Sequence, residues 1–132
     1  MTTDDPRYCA EIHRRMRELP GAGDLPPGGA RVVGRAGDRE QGAEVSLEFG
    51  LECGRVVDAR FRAFGCPYVI AAASWLCERL RGADRAALAG WDWREAAEAL
   101  EVPPARFGRL ITLQDAVRDA VRNWPGEPRS TV

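Results

Sequence analysis

Apolar side chains near the start of the chain recur at the interval of one helical face, at Tyr8, Ile12, Met16 and Leu19. This spacing predicts an amphipathic helix over residues 7–19 whose outer face is rich in arginine. Pro20 ends the helix, because proline cannot continue it. The glycine- and proline-rich residues 20–30 are predicted to form a flexible loop, so residues 1–30 consist of one helix and one loop.

Two consecutive segments then alternate between apolar and polar residues, which is the pattern of half-buried β-strands. The first strand, over residues 43–51, has on its apolar face Val45, Leu47, Phe49 and Leu51. The second strand, over residues 55–64, has on its apolar face Val57, Ala59, Phe61 and Ala63. The short turn between them contains Gly54, so the two strands form a hairpin. Upstream, only residues 32–33 are predicted to form a strand, followed by a glycine-punctuated turn over 34–39.

The second half of the chain has the periodicity of helices. Pro67 suits the first position of a helix that continues to Arg81. The inner stripe of this helix contains Ile70, Ala73, Leu76, Cys77 and Leu80. Shorter helices are predicted over residues 84–88 and 92–100, and a last helix over residues 105–124. Its inward side chains are predicted to be Phe107, Leu110, Ile111, Leu113, Val117 and Val121.

The order of these elements, one helix, then antiparallel strands, then helices, predicts an α+β fold. The 132 residues are enough for one domain over residues 1–132, and residues 125–132 are predicted to be a disordered tail. Hydrophobic residues make up 45% of the chain and charged residues 30%. This is a globular mixture, which excludes disorder of the whole chain.

Charge and cysteine content narrow the classes of function. The 19 basic and 20 acidic residues give a formal net charge of −1, which predicts binding to neither nucleic acid nor an anionic membrane. No apolar run approaches the roughly 18 residues that span a bilayer. The acidic, polar N-terminus is unlike a secretory signal, so the protein is expected in the reducing cytoplasm with its four cysteines as free thiols.

Cys66 is the strongest candidate for chemistry, because it lies between a predicted strand and a predicted helix. The N-terminus of a helix favours an anion, here the thiolate that binds metals and accepts sulfur. The alternative is a small side chain that packs in the core. Asp38, in the predicted glycine turn, is either a functional carboxylate or an Asx-turn residue. The single histidine, His13, is expected at the surface. The remaining thiols are expected to be structural or incidental: Cys9, Cys53 and Cys77.

Three segments carry motifs that occur together, in the same order, in one known family. Residues 58–67 read DARFRAFGCP and are followed by IAAAS at 70–74. VPPAR occupies residues 102–106, and DAVRDA occupies residues 115–120. This series resembles the iron–sulfur cluster assembly scaffold family, the IscU-like or NifU N-terminal domain family. The resemblance covers residues 30–124, and it implies a three-stranded antiparallel sheet with helices packed on it.

The resemblance implies a set of ligand positions, of which this chain keeps only part. Family members use three cysteines, an aspartate and often a histidine. Here Cys66 and Asp38 remain, Ala36 and Arg109 stand at the other two cysteine positions, and Gly108 stands at the histidine. A [2Fe–2S] cluster or a tetrahedral zinc ion needs four ligands. Iron or a cluster is therefore expected to bind only with ligands from a second chain, as in a homodimer, or from a partner.

The resemblance also implies partners and leaves three hypotheses open. A dedicated Hsp70-type chaperone is expected to dock on Val102, Pro103, Pro104, Ala105 and Arg106, and a cysteine desulfurase is expected to supply sulfur. The first hypothesis is a non-enzymatic scaffold that handles iron and sulfur through Cys66 with Asp38. The second is a cluster-free adaptor or regulatory module that keeps the fold and the docking surface. The third, which overlaps the first, is a thiol that accepts persulfide at Cys66.

Overall fold

The computed structural model describes residues 6–125, which form five α-helices and one three-stranded sheet. The elements are α1 (Ala10–Glu18), β1 (Ala30–Asp38), β2 (Ala43–Glu52), β3 (Arg55–Phe64), α2 (Pro67–Arg79), α3 (Arg85–Ala89), α4 (Trp93–Ala99) and α5 (Phe107–Arg122). Short 3-10 turns precede β2 and α5, at Arg39–Gln41 and Pro104–Arg106. The predicted disordered tail lies, from residue 126 onward, outside the described residues.

The sheet is antiparallel in the order β1-β2-β3, with the helices on one face. Helix α5 packs against β1 and β2, and α2 packs against β3. The β2 side chains that these helices cover are buried, as predicted: Val45, Leu47, Phe49 and Leu51. The opposite face, called here the open face, carries the alternate residues of each strand, among them Arg35, Ser46 and Arg62. The predicted α+β fold with a three-stranded antiparallel sheet is confirmed.

Strand β1 is longer than the sequence predicts. The pattern predicted a strand at residues 32–33 and then a turn, but β1 continues through Gly34 to Asp38 and pairs with β2 along its whole length. Gly34 is required because α5 packs closely against the strand at this position. A Cβ atom at Gly34 would lie 2.1 Å from the carbonyl oxygen of Ala116 and 2.6 Å from the amide nitrogen of Ala120. Glycine within a strand lets another backbone approach closely, so here it marks helix packing and not a turn.

A β-bulge changes the face on which one predicted core residue lies. Leu51 pairs with Val56, whereas the preceding Gly50 pairs with Asp58, so β3 has one extra residue at this point. Val57 was predicted to point into the core, but it is 45% exposed, and Val56 is buried in its place. A bulge inserts a residue and shifts the alternation of the strand, which strict alternation along the sequence cannot reveal.

The ends of the outer helices also differ from the prediction. Helix α1 ends at Glu18, and Leu19 follows in a left-handed conformation that leaves its side chain exposed instead of inward. Helix α5 begins at Phe107, two residues later than predicted, after the 3-10 turn. Its Ile111 was predicted to face inward and is 44% exposed. Ile111 therefore lies outside the buried face of α5.

The predicted flexible loop at 20–30 is bound to the sheet over its first part. The amide of Gly23 donates to the carbonyl of Phe61, and the amide of Phe61 donates to the carbonyl of Gly21, both at 2.9 Å. Leu25 is buried, and its amide donates to Glu48 Oε1 at 3.0 Å. Backbone pairing with β3 is non-local and leaves no trace in the composition of a glycine-rich segment, so the sequence does not predict that residues 21–25 are bound to the sheet.

One arginine of α1 does not lie on the outer face where the pattern placed it. The side chain of Arg15 is only 5% exposed, and it contacts Glu11 at 2.7 Å, with Glu78 of α2 as a second carboxylate partner. Its Nη1 also donates to the hydroxyl of Ser74 at 3.0 Å. A buried guanidinium is tolerated when it is paired and hydrogen-bonded. Arg15 therefore ties α1 to α2.

Candidate functional site

Cys66 is the N-cap residue of α2, as the sequence predicts. Gly65 precedes it with φ +150°, where a Cβ would lie 2.6 Å from Val69 Cγ1 and 3.1 Å from the carbonyl oxygen of Gly42. Only glycine allows this turn against the β1–β2 connection. Cys66 itself is half-buried beside the core, and its side chain makes no capping hydrogen bond. The thiol therefore lies at the positive end of the helix dipole, and it makes no hydrogen bond to the first backbone N–H groups of the helix.

Asp38 occupies the end of β1 and caps the 3-10 turn that follows. Its Oδ1 accepts a hydrogen bond from the backbone N–H of Gln41 at 2.8 Å, and the residue is exposed. This is the turn-stabilising role that short polar side chains often have. The carboxylate keeps its second oxygen, Oδ2, for which no hydrogen bond occurs within the described residues. Asp38 therefore supports the turn and still presents one oxygen to solvent.

Arg109 reaches the same turn from α5. Its Nη1 donates to the carbonyl of Gln41 at 3.3 Å, and its Nη2 lies 3.1 Å from the position that a Cβ of Gly42 would take. Its Nε is buried and makes no hydrogen bond. The arginine therefore fills the space beside residues 41–42 with a cation, and Gly42 leaves room for it.

The structure brings three of the predicted site residues to one end of the molecule. Asp38 and Arg109 both bind Gln41, and the turn before Cys66 packs on Gly42 and Ala43. Two further positions, at which the family resemblance implies ligands, supply no ligating side chain there. Ala36, opposite Val45 in the sheet, is half-buried and has no ligating atom, and Gly108 is exposed in open space at the start of α5.

The other cysteines do not complete a metal site. Cys9 donates its Sγ–H to the carbonyl of Leu100 at 3.3 Å, and Cys53 is exposed at the β2–β3 turn. Cys77 is buried in the core, and this burial raises the pKa of its thiol to about 12. Over residues 6–125, no group of three or more His, Cys, Asp or Glu side chains could hold a metal ion. A four-ligand cluster or zinc site therefore does not fit within the described part of a single chain.

The predicted docking segment is largely accessible. Val102 is buried, whereas residues 103–106 are exposed and enter the 3-10 turn before α5. A surface cavity of about 430 Å³ lies beside the segment. It is lined by Trp93, Arg94, Ala97, Glu98, Val102 and Phe107. The segment is thus held at one end by the core and is exposed at the other.

Sequence reasoning missed a feature of the open face. A cavity of about 580 Å³ lies there, and neither Cys66 nor Asp38 lines it. Arg35 and Arg62 contribute to it from opposite edge strands, with Ser46 of β2 between them. The strict alternation of β2 and β3 already placed Ser46 and Arg62 on the polar face. Arg35 was not assigned to the sheet, because a turn was predicted at residues 34–39.

The fold is shared with solved structures of other proteins. One is an iron–sulfur cluster assembly scaffold protein for the SUF system from Fervidobacterium islandicum. It has a TM-score of 0.62 and 18% identity, covering 86% of this chain and 96% of that one. Another is the N-terminal part of a NifU-like protein from Brucella abortus, with a TM-score of 0.51, 19% identity, and coverage of 87% and 81%. At these identities the likeness concerns the fold.

Sequence relatives point to the same class of protein. The Plasmodium falciparum iron–sulfur cluster assembly protein IscU is 29% identical over 96 residues, which is 73% of this chain and 57% of that protein. The Escherichia coli K12 scaffold protein IscU is 31% identical over 71 residues, 54% of this chain and 56% of that protein. The chain thus spans a little over half the length of these relatives. Residues 7–131 match the NifU-like N terminal domain, and the chain belongs to that family.

Among the described residues, no helix combines the length and the apolar character that a membrane crossing needs.

Proposed function

We propose that the protein works in iron–sulfur cluster assembly as a scaffold that handles iron and sulfur through Cys66 with Asp38. The observation that carries this proposal is the position of Cys66. Its thiol lies at the N-terminus of α2, makes no capping bond, and stands at the end of the molecule where Asp38 also lies. The curated relatives named above are cluster assembly proteins. Their names describe assembly and not catalysis, in keeping with a non-enzymatic role.

The ligand count determines how a cluster would be held. Cys66 and Asp38 are two ligands, whereas a [2Fe–2S] cluster takes four, mostly thiolates. Two chains that meet at this end would supply two thiolates and two carboxylates, and a partner protein could supply two further thiolates instead. The cluster is cargo, so incomplete coordination by one chain fits a protein that passes the cluster on.

The partners that we propose are a chaperone and a cysteine desulfurase, in keeping with the family. The exposed residues 103–106 are available to a chaperone of the Hsp70 type, and the accessible Cys66 is available to a cysteine desulfurase that delivers sulfur. All four cysteines are free, which fits the reducing cytoplasm as the site of action.

Arg109 supports a second candidate function. It places a guanidinium beside residues 41–42, close to the site, where the family resemblance implies a cysteine. A fixed cation opposes the binding of iron ions at that point. A cluster-free adaptor or regulator with the same fold and docking segment would tolerate this substitution.

Anaerobic reconstitution with iron and sulfide distinguishes the two functions. The scaffold is expected to develop visible charge-transfer absorption and to retain iron after desalting. Light scattering is expected to give the molar mass of a dimer. Cys66→Ser is expected to abolish the absorption, and Cys53→Ser, which changes the exposed thiol at the β2–β3 turn, is the matched control.

Two results would contradict the scaffold function. Wild-type protein without absorption or retained iron would favour the adaptor. Equal loading of wild type and Cys66→Ser would show that iron binds elsewhere.

A further inference from the structure

Arg35, Ser46 and Arg62 form one row across the open face of the sheet. Arg35 of β1 pairs with Ser46 of β2, and Ser46 pairs with Arg62 of β3. Neighbouring strands lie about 4.8 Å apart, so the backbones of the two arginines are separated by about 10 Å. Both side chains are long, and the serine hydroxyl lies between them. The row therefore presents two guanidinium groups and one hydroxyl on the same face.

The row lies between two cavities of the open face, of about 580 and 210 Å³, and all three residues line both. The larger cavity lies toward the end of the sheet that leads to Cys66. Phe64, 40% exposed, forms part of its wall. Its volume is in the range of small-molecule sites, which are about 300–1,000 Å³. It thus has room for a small organic molecule beside the row.

The charges that line the larger cavity favour an anion. Three arginines and one carboxylate contribute to it: Arg35, Arg39, Arg62 and Glu44. Arg39 is neutralised by Glu44, with Nε and Oε1 3.2 Å apart, and its guanidinium lies over the Phe64 ring. Among residues 6–125, the guanidinium of Arg35 has no ion-pair or hydrogen-bond partner. Its backbone amide alone is bonded, to Asp119.

Arg62 is already paired, but the pair is exposed to solvent. Its Nε and Nη2 bind the carboxylate of Asp24 at 2.8 and 2.7 Å, and these side chains are 68% and 64% exposed. Solvent screens the two charges of an exposed ion pair. An anion that binds Arg35 and Arg62 together can therefore replace Asp24. Asp24 also shows the geometry that Arg62 adopts toward an oxyanion, since it binds as a two-point fork.

We propose that the row binds the oxyanion group, a carboxylate or a phosphate, of a small organic ligand. Arg35 and Arg62 hold the oxyanion from two sides, and the hydroxyl of Ser46 donates a hydrogen bond to it. The apolar part of the ligand contacts the ring of Phe64. Arginine suits this role because its planar fork matches two oxygens of a carboxylate or phosphate.

Titration calorimetry at low ionic strength tests the site with phenyl phosphate, benzoate and inorganic phosphate as probes. Phenyl phosphate and benzoate distinguish the two oxyanions, and inorganic phosphate lacks the apolar part. We expect saturable binding of at least one aromatic probe, weakened at least tenfold in Arg35→Gln and severalfold in Ser46→Ala. Arg118→Gln removes an exposed arginine of α5 and is the matched control. It is expected to leave the affinity unchanged.

The aromatic wall has its own test. Phenyl phosphate is expected to bind more tightly than inorganic phosphate, and Phe64→Leu is expected to reduce that difference. The proposal is overturned if no probe binds saturably, or if Arg118→Gln weakens binding as much as Arg35→Gln. Iron and sulfide are absent from these titrations, so their outcome is independent of cluster assembly.

Discussion

The carboxylate of Asp119 in α5 accepts a hydrogen bond from the backbone N–H of Arg35 in β1, with Oδ2 and the amide nitrogen 2.9 Å apart. Asn123, the C-cap residue of the same helix, donates from Nδ2 to the carbonyl of Val33 at 3.0 Å. Two outward-facing backbone groups of the edge strand are thereby bound by side chains from the end of α5. Unpaired edge groups are templates for pairing with another chain, so this contact protects the edge of β1.

Replacement of Asp119 by Asn is expected to reduce stability in a pH-dependent way. The bond from the Arg35 amide holds the pKa of the Asp119 carboxyl below its usual value. Its contribution is therefore present above the unfolded pKa of about 3.9, and it is lost as the pH falls through the lower, folded pKa. We expect a loss of about 1 kcal/mol at pH 7, measured by urea unfolding. The difference between wild type and variant should shrink below pH ~4. A constant difference down to pH ~2 would contradict the assigned role of the charge.

Two glycine-to-alanine changes, one in β1 and one in α5, should have opposite effects. At Gly34 a Cβ would lie 2.1 Å from the Ala116 carbonyl oxygen, so α5 has to move away from the sheet. We expect Gly34→Ala to lower the free energy of unfolding by about 3 kcal/mol, at the upper end of overpacking effects. Gly108 has no atom within 4 Å of its Cβ position, and alanine there should stabilise α5 by up to ~1 kcal/mol. Urea unfolding measures both, and equal effects would exclude the close approach of α5 to β1.

Three of the thiols, those of Cys53, Cys66 and Cys77, should differ in reactivity according to their burial. Burial raises the pKa of Cys77 to about 12, so almost no thiolate forms there at pH 8. A thiol reagent at that pH is expected to modify Cys53 and Cys66 in the folded protein and to leave Cys77 unmodified. Mass spectrometry of peptides locates the label, and a sample in urea provides full modification as the control. Labelling of Cys77 as fast as Cys53 in folded protein would contradict its place in the core.

The incomplete ligand set predicts a gain of function. Ala36→Cys together with Arg109→Cys would add thiolates at the two positions where the family resemblance implies cysteines, and it would remove the cation beside Gly42. We expect the double variant to retain at least twice as much iron per chain after anaerobic reconstitution as wild type, and to do so as a monomer. Ala36→Ser with Arg109→Ser is the matched control, because it removes the arginine without adding thiolates. Equal iron in both double variants would show that these positions do not face a common site.

The sequence predicts the features that depend on local pattern. The alternation of Val45, Leu47 and Phe49 and the Gly65–Cys66–Pro67 order were sufficient to place β2 and the N-cap of α2. The errors have tertiary causes. Gly34 was interpreted as a turn because α5, which requires it, lies more than 70 residues away in the sequence.

The same limitation applies to the candidate site. The resemblance named Asp38, Cys66 and Arg109, but their meeting at residues 41–43 follows from strand register and helix packing. Arg15 was placed among solvated arginines because its partner Ser74 belongs to another helix. The row of Arg35, Ser46 and Arg62 needed the full extent of β1 before it could be recognised.

The pairing of residues 21–23 with Phe61 limits how two copies can associate. Together with the hydrogen bonds of Val56 to Gly82 and Ala83, it occupies much of the outer edge of β3. Asp119 and Asn123 occupy backbone groups on the outer edge of β1. Extension of the sheet from one copy into the next is thus obstructed on both sides. Two chains that share a cluster would therefore have to associate by a contact other than sheet extension, one that brings their Cys66 thiols together.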